Sequence, residues 1–94
     1  MIPDRKKIRR VLDALLEDEH ARARWADDGH GGRYDCDVTR RAQDGSVLGQ
    51  ELKVETELLE WLVTQGYVAI DGPLRDPAYR PIRPGARPPG DLES

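Results

Sequence analysis

His20, His30 and Cys36 are the side chains best suited to hold a soft metal ion, and Asp27, Asp28, Asp35 and Asp37 add nearby oxygen donors. A structural zinc site takes four firmly held ligands. The spacing here forms no compact ligand pair, and glycines at 29, 31 and 32 make the intervening loop pliant. The sequence therefore predicts no metal: His30 reads as a solvent-facing loop residue and Cys36 as a small core residue. Asp35 and Asp37 fall on one face of a predicted strand, about 7 Å apart by strand repeat. That pair suits a cation or a basic partner, and suits a wet strand face at least as well. Gly29-His30-Gly31-Gly32 lacks both the strand–turn–helix setting and the Lys-Ser/Thr ending of a phosphate loop. Cys36 has no oriented base in register to make it a nucleophile. No catalytic role and no cofactor is read from these residues.

Charge is the other chemistry on offer. The net charge of −3 is unevenly spread. Residues 1–24 carry seven basic and five acidic side chains, residues 25–60 four and nine, and residues 61–94 four and four. An acidic middle repels a phosphate backbone, whose neutralisation dominates nucleic-acid affinity, and attracts a basic protein surface. Asp35, Asp37, Glu55, Glu57 and Glu60 are the expected protein-binding residues, with Trp61 as an apolar anchor beside Tyr34 and Tyr67. The alternative is a nucleic-acid contact through Arg5, Lys6, Lys7, Arg9 and Arg10 near the N-terminus, joined by Lys53, Arg75, Arg80 and Arg83.

The elements that position these groups follow from periodicity. Ile8, Val11, Leu12, Leu15 and Leu16 repeat at three and four residues, which marks the buried face of a helix opened by Pro3 or Asp4. Arg9 and Arg10 can both pair with Asp13 on its outer surface. Ala21 and Trp25 continue the helical spacing, so this helix or a second short one is expected to reach Ala26. Tyr34, Cys36 and Val38 alternate with Asp35, Asp37 and Thr39, a half-exposed strand. Asp44-Gly45 signals a hairpin, with residues 47–54 as the return strand. Leu58, Leu59, Leu62 and Val63 stripe a second helix over residues 55–65, stopped by Gly66. Residues 67–70 read as a strand, Asp71-Gly72-Pro73 as a turn, and residues 78–83 as a returning strand that Pro77 and Pro81 place at a sheet edge. From Pro84 onward Gly, Pro and Arg dominate without periodicity.

The expected fold class is therefore α+β. Residues 1–83 form a small single domain of two main helices and antiparallel hairpins, and residues 84–94 form a tail that is flexible or loosely docked. With 37% hydrophobic residues in 94 and no Phe, its core is thin, and dimerisation through helix one would extend it. A single Cys excludes an intrachain disulfide and favours a reducing, cytoplasmic setting. No apolar run approaches the roughly 20 residues that cross a bilayer.

The segment LLEWLVTQGYVAIDGPLRDPAYRPIRPG resembles the end of a winged-helix domain: a helix, a strand start at Gly66-Tyr67-Val68, a wing tip over residues 71–77, and a second strand from Tyr79-Arg80. The resemblance implies a degenerate winged helix whose pre-wing helix enters the DNA major groove, making the chain a transcriptional regulator. Here that helix is VETELLEWLVTQ, whose carboxylates can accept from cytosine amines but bring no arginine with them. The hairpin over residues 33–54 also stands where the family has a compact second helix. The leading expectation is instead a non-enzymatic binding protein that engages a basic, nucleic-acid-handling protein complex through its acidic surface. In size, acidity and lack of catalytic residues it resembles phage-type inhibitors such as anti-CRISPR proteins.

Overall fold

A computed structural model of the chain describes residues 4–17 and 21–93. Helix α1 spans Arg5–Leu16, strand β1 Arg22–Ala26, β2 Arg33–Arg41, β3 Val47–Glu55, helix α2 Thr56–Thr64, β4 Val68–Ile70 and β5 Arg80–Pro84, and a 3-10 helix closes the chain at Pro89–Glu93. The five strands form one antiparallel sheet in the order β3-β2-β1-β5-β4. Both helices lie on one face. Ile8, Val11, Leu12 and Leu15 of α1 and Leu58, Leu59 and Leu62 of α2 share a core with Ala23, Tyr34, Cys36, Val38, Val54, Val68 and Ile82 from the strands. The result is a small α+β domain, and among the described residues no helix is long and apolar enough to cross a membrane.

Local chemistry accounts for most boundaries. Asp4 caps α1, its carboxylate accepting from the Lys6 N–H at 2.9 Å. The β2–β3 turn closes with Ala42 N–H donating to Ser46 O (2.9 Å) and Gly45 N–H donating to Ala42 O (3.0 Å). Gly45 takes φ +88°, the left-handed residue that a three-residue hairpin loop requires. Helix α2 stops at Gly66, where Tyr67 N–H reaches back to Leu62 O at 3.0 Å and Gly66 N–H to Val63 O at 3.1 Å.

Two expectations are corrected. Ala21 to Trp25 do not extend a helix: β1 pairs residue for residue with β2, Trp25 opposite Tyr34 and Ala23 opposite Cys36. Ala21 and Trp25 stand one helical turn apart, but Ala21, Ala23 and Trp25 also alternate with Arg22 and Arg24, and pairing on both sides satisfies the strand's backbone. Pro81 does not mark an edge, because β5 lies between β1 and β4. Its carbonyl accepts from Asp71 N–H at 2.9 Å, so its own N position faces Asp71, just past the end of β4, and the proline forgoes only the return bond of that last pair. The stretch after β5 lies against the domain. Gly85 and Arg87 N–H groups donate to Tyr67 O and Gly66 O, both at 2.9 Å, the Arg87 guanidinium sits 4.9 Å from the Tyr67 ring, and Leu92 packs on the core. His20 and Pro3 lie outside the described residues.

Candidate functional site

The face of the sheet turned away from the helices carries the most organised polar constellation of the molecule. Strand alternation sends Arg22 and Arg24 of β1 and Arg33, Asp35 and Asp37 of β2 to that side. Asp35 lies at its centre with 3% exposure. The Arg33 Nε donates to Asp35 Oδ1 at 3.0 Å, and the Arg24 Nε stands 3.6 Å from Oδ2. Asp37 pairs with Arg22 at 3.5 Å. Tyr79, just before β5, lies beneath both β1 arginines, with Arg22 and Arg24 guanidinium carbons 5.0 and 5.1 Å from its ring centroid. One buried carboxylate and one ring thus fix three guanidinium groups whose outer edges remain in solvent. The Asp35 carboxylate raises the already basic Arg33 further, so that group stays charged.

Asp35 is therefore not a wet surface carboxylate, while Arg33, Asp37 and Thr39 on the same strand face stay partly or fully exposed. The two arginines close over it, and they supply the partners that a buried charge needs.

A second network ties the middle of α2 to the loop between β4 and β5. Tyr34 Oη donates to Glu60 Oε2 at 3.0 Å and accepts from Arg75 N–H at 3.0 Å, while Arg75 Nε and its terminal nitrogen clasp Glu60 at 2.9 and 3.0 Å. The clasp holds Glu60 below the ordinary carboxylate range, and burial pushes the Tyr34 phenol up to about 12. Arg75 sits at φ +58°, the one non-glycine residue in the left-handed region among those described, and these bonds hold it there.

No protein-family model, curated protein or solved structure matches this chain.

The acidic residues expected to share one surface divide among several places. Asp35 and Asp37 belong to the open sheet face, and Glu60 belongs to the Tyr34–Arg75 clasp. Glu55, at the end of β3, pairs with Lys7 of α1. Glu57 is exposed in the first turn of α2, beside a cleft of about 390 Å³ also lined by Asp28, His30, Arg33, Lys53 and Glu55. Asp28 uses its carboxylate locally, accepting from the His30 and Gly32 N–H groups at 2.8 and 3.0 Å. Trp61 is half-buried and stacks on Tyr67, centroids 6.0 Å apart.

The basic set is likewise dispersed. Arg75 is held by Glu60, Arg80 by Asp76 at 2.6 Å, Arg83 stands 3.5 Å from Asp71, and Arg9 pairs with Asp13 at 3.3 Å while donating to Pro89 O. Arg5, Lys6 and Arg10 remain on the outside of α1, and Lys53 stands opposite Asp35 in the ladder. His30 is exposed on its loop and Cys36 is wholly buried, its thiol pushed up to about 12 by that burial. The described residues contain no group of three or more His, Cys, Asp or Glu placed to hold a metal ion.

Sequence reasoning missed Arg22, Arg24, Arg33 and Tyr79. The signal for the first two was present in Arg22-Ala23-Arg24-Trp25, a polar–apolar alternation with period two. Tyr79 carried no such signal, because it reaches the site through β5 pairing with β1, a contact between distant parts of the chain.

Proposed function

We propose that this chain is a non-enzymatic binding domain that docks a protein partner on the open face of its sheet. The observation that carries the reading is the Arg22–Tyr79–Arg24–Asp35–Arg33 constellation. Arginine and tyrosine anchors concentrate binding energy at protein interfaces, and side chains already held in place lose little freedom on docking. Glu57, exposed beside Arg33 at the margin of this face, offers a carboxylate to a basic partner. A protein that handles nucleic acid has such a surface, and blocking it is the inhibitor version of this reading. The free, buried Cys36 thiol is in keeping with action in the cytoplasm.

Direct DNA binding in the winged-helix manner is the competing reading. It would draw on Arg75 and Arg80, whose charge is already engaged by Glu60 and Asp76. The test is capture of partners by the tagged chain from host extract, with and without nuclease, in parallel with Arg22→Ala and Tyr79→Ser variants. A stoichiometric protein retained after nuclease by the parent chain and lost from both variants is the expected result. Recovery of discrete DNA fragments alone, or a partner indifferent to both substitutions, overturns it.

A further inference from the structure

Strand β3 is an edge strand with an unusual combination of properties. It runs nine residues, Val47–Glu55, pairs with β2 in unbroken register, and contains no proline. Among the described residues no strand lies along its outer side. Val47 and Leu48 are exposed by 63% and 57% at its start. Long, regular, uncovered edges recruit further strands.

The direction of the free backbone groups can be read from the hairpin. Ala42 N–H donates to Ser46 O, so that pair is hydrogen-bonded, and bonded pairs recur at every second position along an antiparallel ladder. Leu48, Gln50, Leu52 and Val54 therefore exchange bonds with β2, and Val47, Gly49, Glu51, Lys53 and Glu55 aim their N–H and C=O groups outward. Glu51 and Lys53 also share the side-chain face that Asp35 and Asp37 occupy on β2, while Glu55 at the strand end turns to Lys7 of α1.

We propose that the outer edge of β3 pairs with β3 of a second copy of this chain, antiparallel and about a two-fold axis through Leu52. Outward-facing residues must meet outward-facing residues, so the axis passes through a residue and not between two. An axis at Glu51 sets Glu51 against its own copy. An axis at Lys53 sets Lys53 against its copy and Glu51 against Glu55. An axis at Gln50 leaves Glu51 facing Gly49 and Lys53 facing Val47. Only the axis at Leu52 puts Glu51 opposite Lys53, and does so twice by symmetry. Gly49 then faces Glu55, and residues 49–55 form the shared ladder.

The same axis brings the two half-buried Leu52 side chains together. Each lines a groove of about 290 Å³ with Arg10, Asp13, Ala14 and Glu17 of α1 and with Val38 and Gln50. Edge charges ordinarily discourage pairing. Here they are adjacent, opposite in sign and matched in one register, so they select the partner and the alignment. This pairing is independent of what binds the open sheet face.

Sedimentation velocity of the full chain over a micromolar to submillimolar range, with far-UV circular dichroism as the check on folding, tests the proposal. The parent chain forms a dimer. Glu51→Lys and Lys53→Glu each weaken it about tenfold or more, since each places like charges at two symmetric positions, and the double exchange E51K/K53E restores it. Gly49→Pro removes an outward N–H without touching a bond to β2, in a place where nothing lies within 4 Å of an added Cβ, and yields a folded monomer. A parent chain that stays monomeric, a dimer unaffected by the single charge reversals, or a double exchange that fails to recover the dimer would each overturn the proposal. Should Gly49→Pro not fold, the charge exchange alone decides.

Discussion

Tyr34 does two jobs. Its ring is part of the core, and its hydroxyl links Glu60 to the backbone of Arg75. Because burial raises its folded pKa from an ordinary 10.0 to about 12, the neutral phenol is the form that folding prefers. The sign follows directly. The stabilisation is complete below the unfolded pKa near 10 and is lost as pH rises through the folded value near 12. Glu60 behaves in the opposite sense: its folded pKa is depressed, so its contribution is present above the ordinary carboxylate pKa and lost as pH falls through the lowered value. Following tyrosine ionisation by ultraviolet absorbance should show an alkaline step from Tyr34 near 12 that coincides with unfolding. Tyr34→Phe should remove that alkaline step and leave Glu60 with Arg75 alone. A Tyr34 that titrates near 10 without loss of structure would contradict this account.

At the scale of elements, loops and strands are locked by close approach more than by propensity. Gly32 adopts φ +84°, and a Cβ there would stand 2.4 Å from Trp25 Cζ2. Trp25 in turn donates from Nε1 to Thr56 Oγ1 at 3.0 Å, joining β1 to the first residue of α2. Gly32→Ala should therefore displace the indole, break that bond and destabilise the domain by about 2–4 kcal/mol, from the left-handed backbone and the overpacking together. A urea titration followed by tryptophan fluorescence measures it, with Asp44→Ala in the exposed hairpin loop as the mild comparison. The three glycines of this loop were legible as a turn in the sequence. The tie of Gly32 to an indole was not, because Trp25 itself was read on a helix. Ala21 and Trp25 fit a period of 3.6 as well as a period of two, and five residues do not separate the two patterns.

For the molecule as a whole, a small core makes the C-terminal segment matter. Pro84 ends β5, and the next residues return over the α2–β4 junction, where Gly85 passes so near Gly66 that an added Cβ would lie 2.0 Å from the Gly66 carbonyl oxygen. Deleting residues 85–94 removes two backbone hydrogen bonds to the α2–β4 junction, the bond from Arg9 to Pro89 O, the Arg87–Tyr67 contact and the Leu92 packing. A loss of about 2 kcal/mol is expected. In a domain of this size that lowers Tm by roughly 10 °C, measurable by differential scanning calorimetry. A truncated chain as stable as the full one would mean that these contacts add nothing net.

Periodicity and the glycine turn signals together determined both main helices, the β2–β3 hairpin, the β4–β5 return and the α+β class, because each depends on residues close in sequence. Asp4 as a cap and Gly66 as a stop were readable for the same reason. Tertiary structure decided the rest. It made β1 a strand by giving its backbone two neighbours, and it put β5 inside the sheet despite Pro81 by turning the missing N–H toward a strand that had already ended. It also converted formal charges into paired and unpaired ones. The sequence shows Asp35, Glu55 and Glu60 as a run of negative charge. Only the folded chain brings Arg24 and Arg33, Lys7, and Arg75 to them, since ion pairs between distant segments leave no local pattern in the chain that makes them.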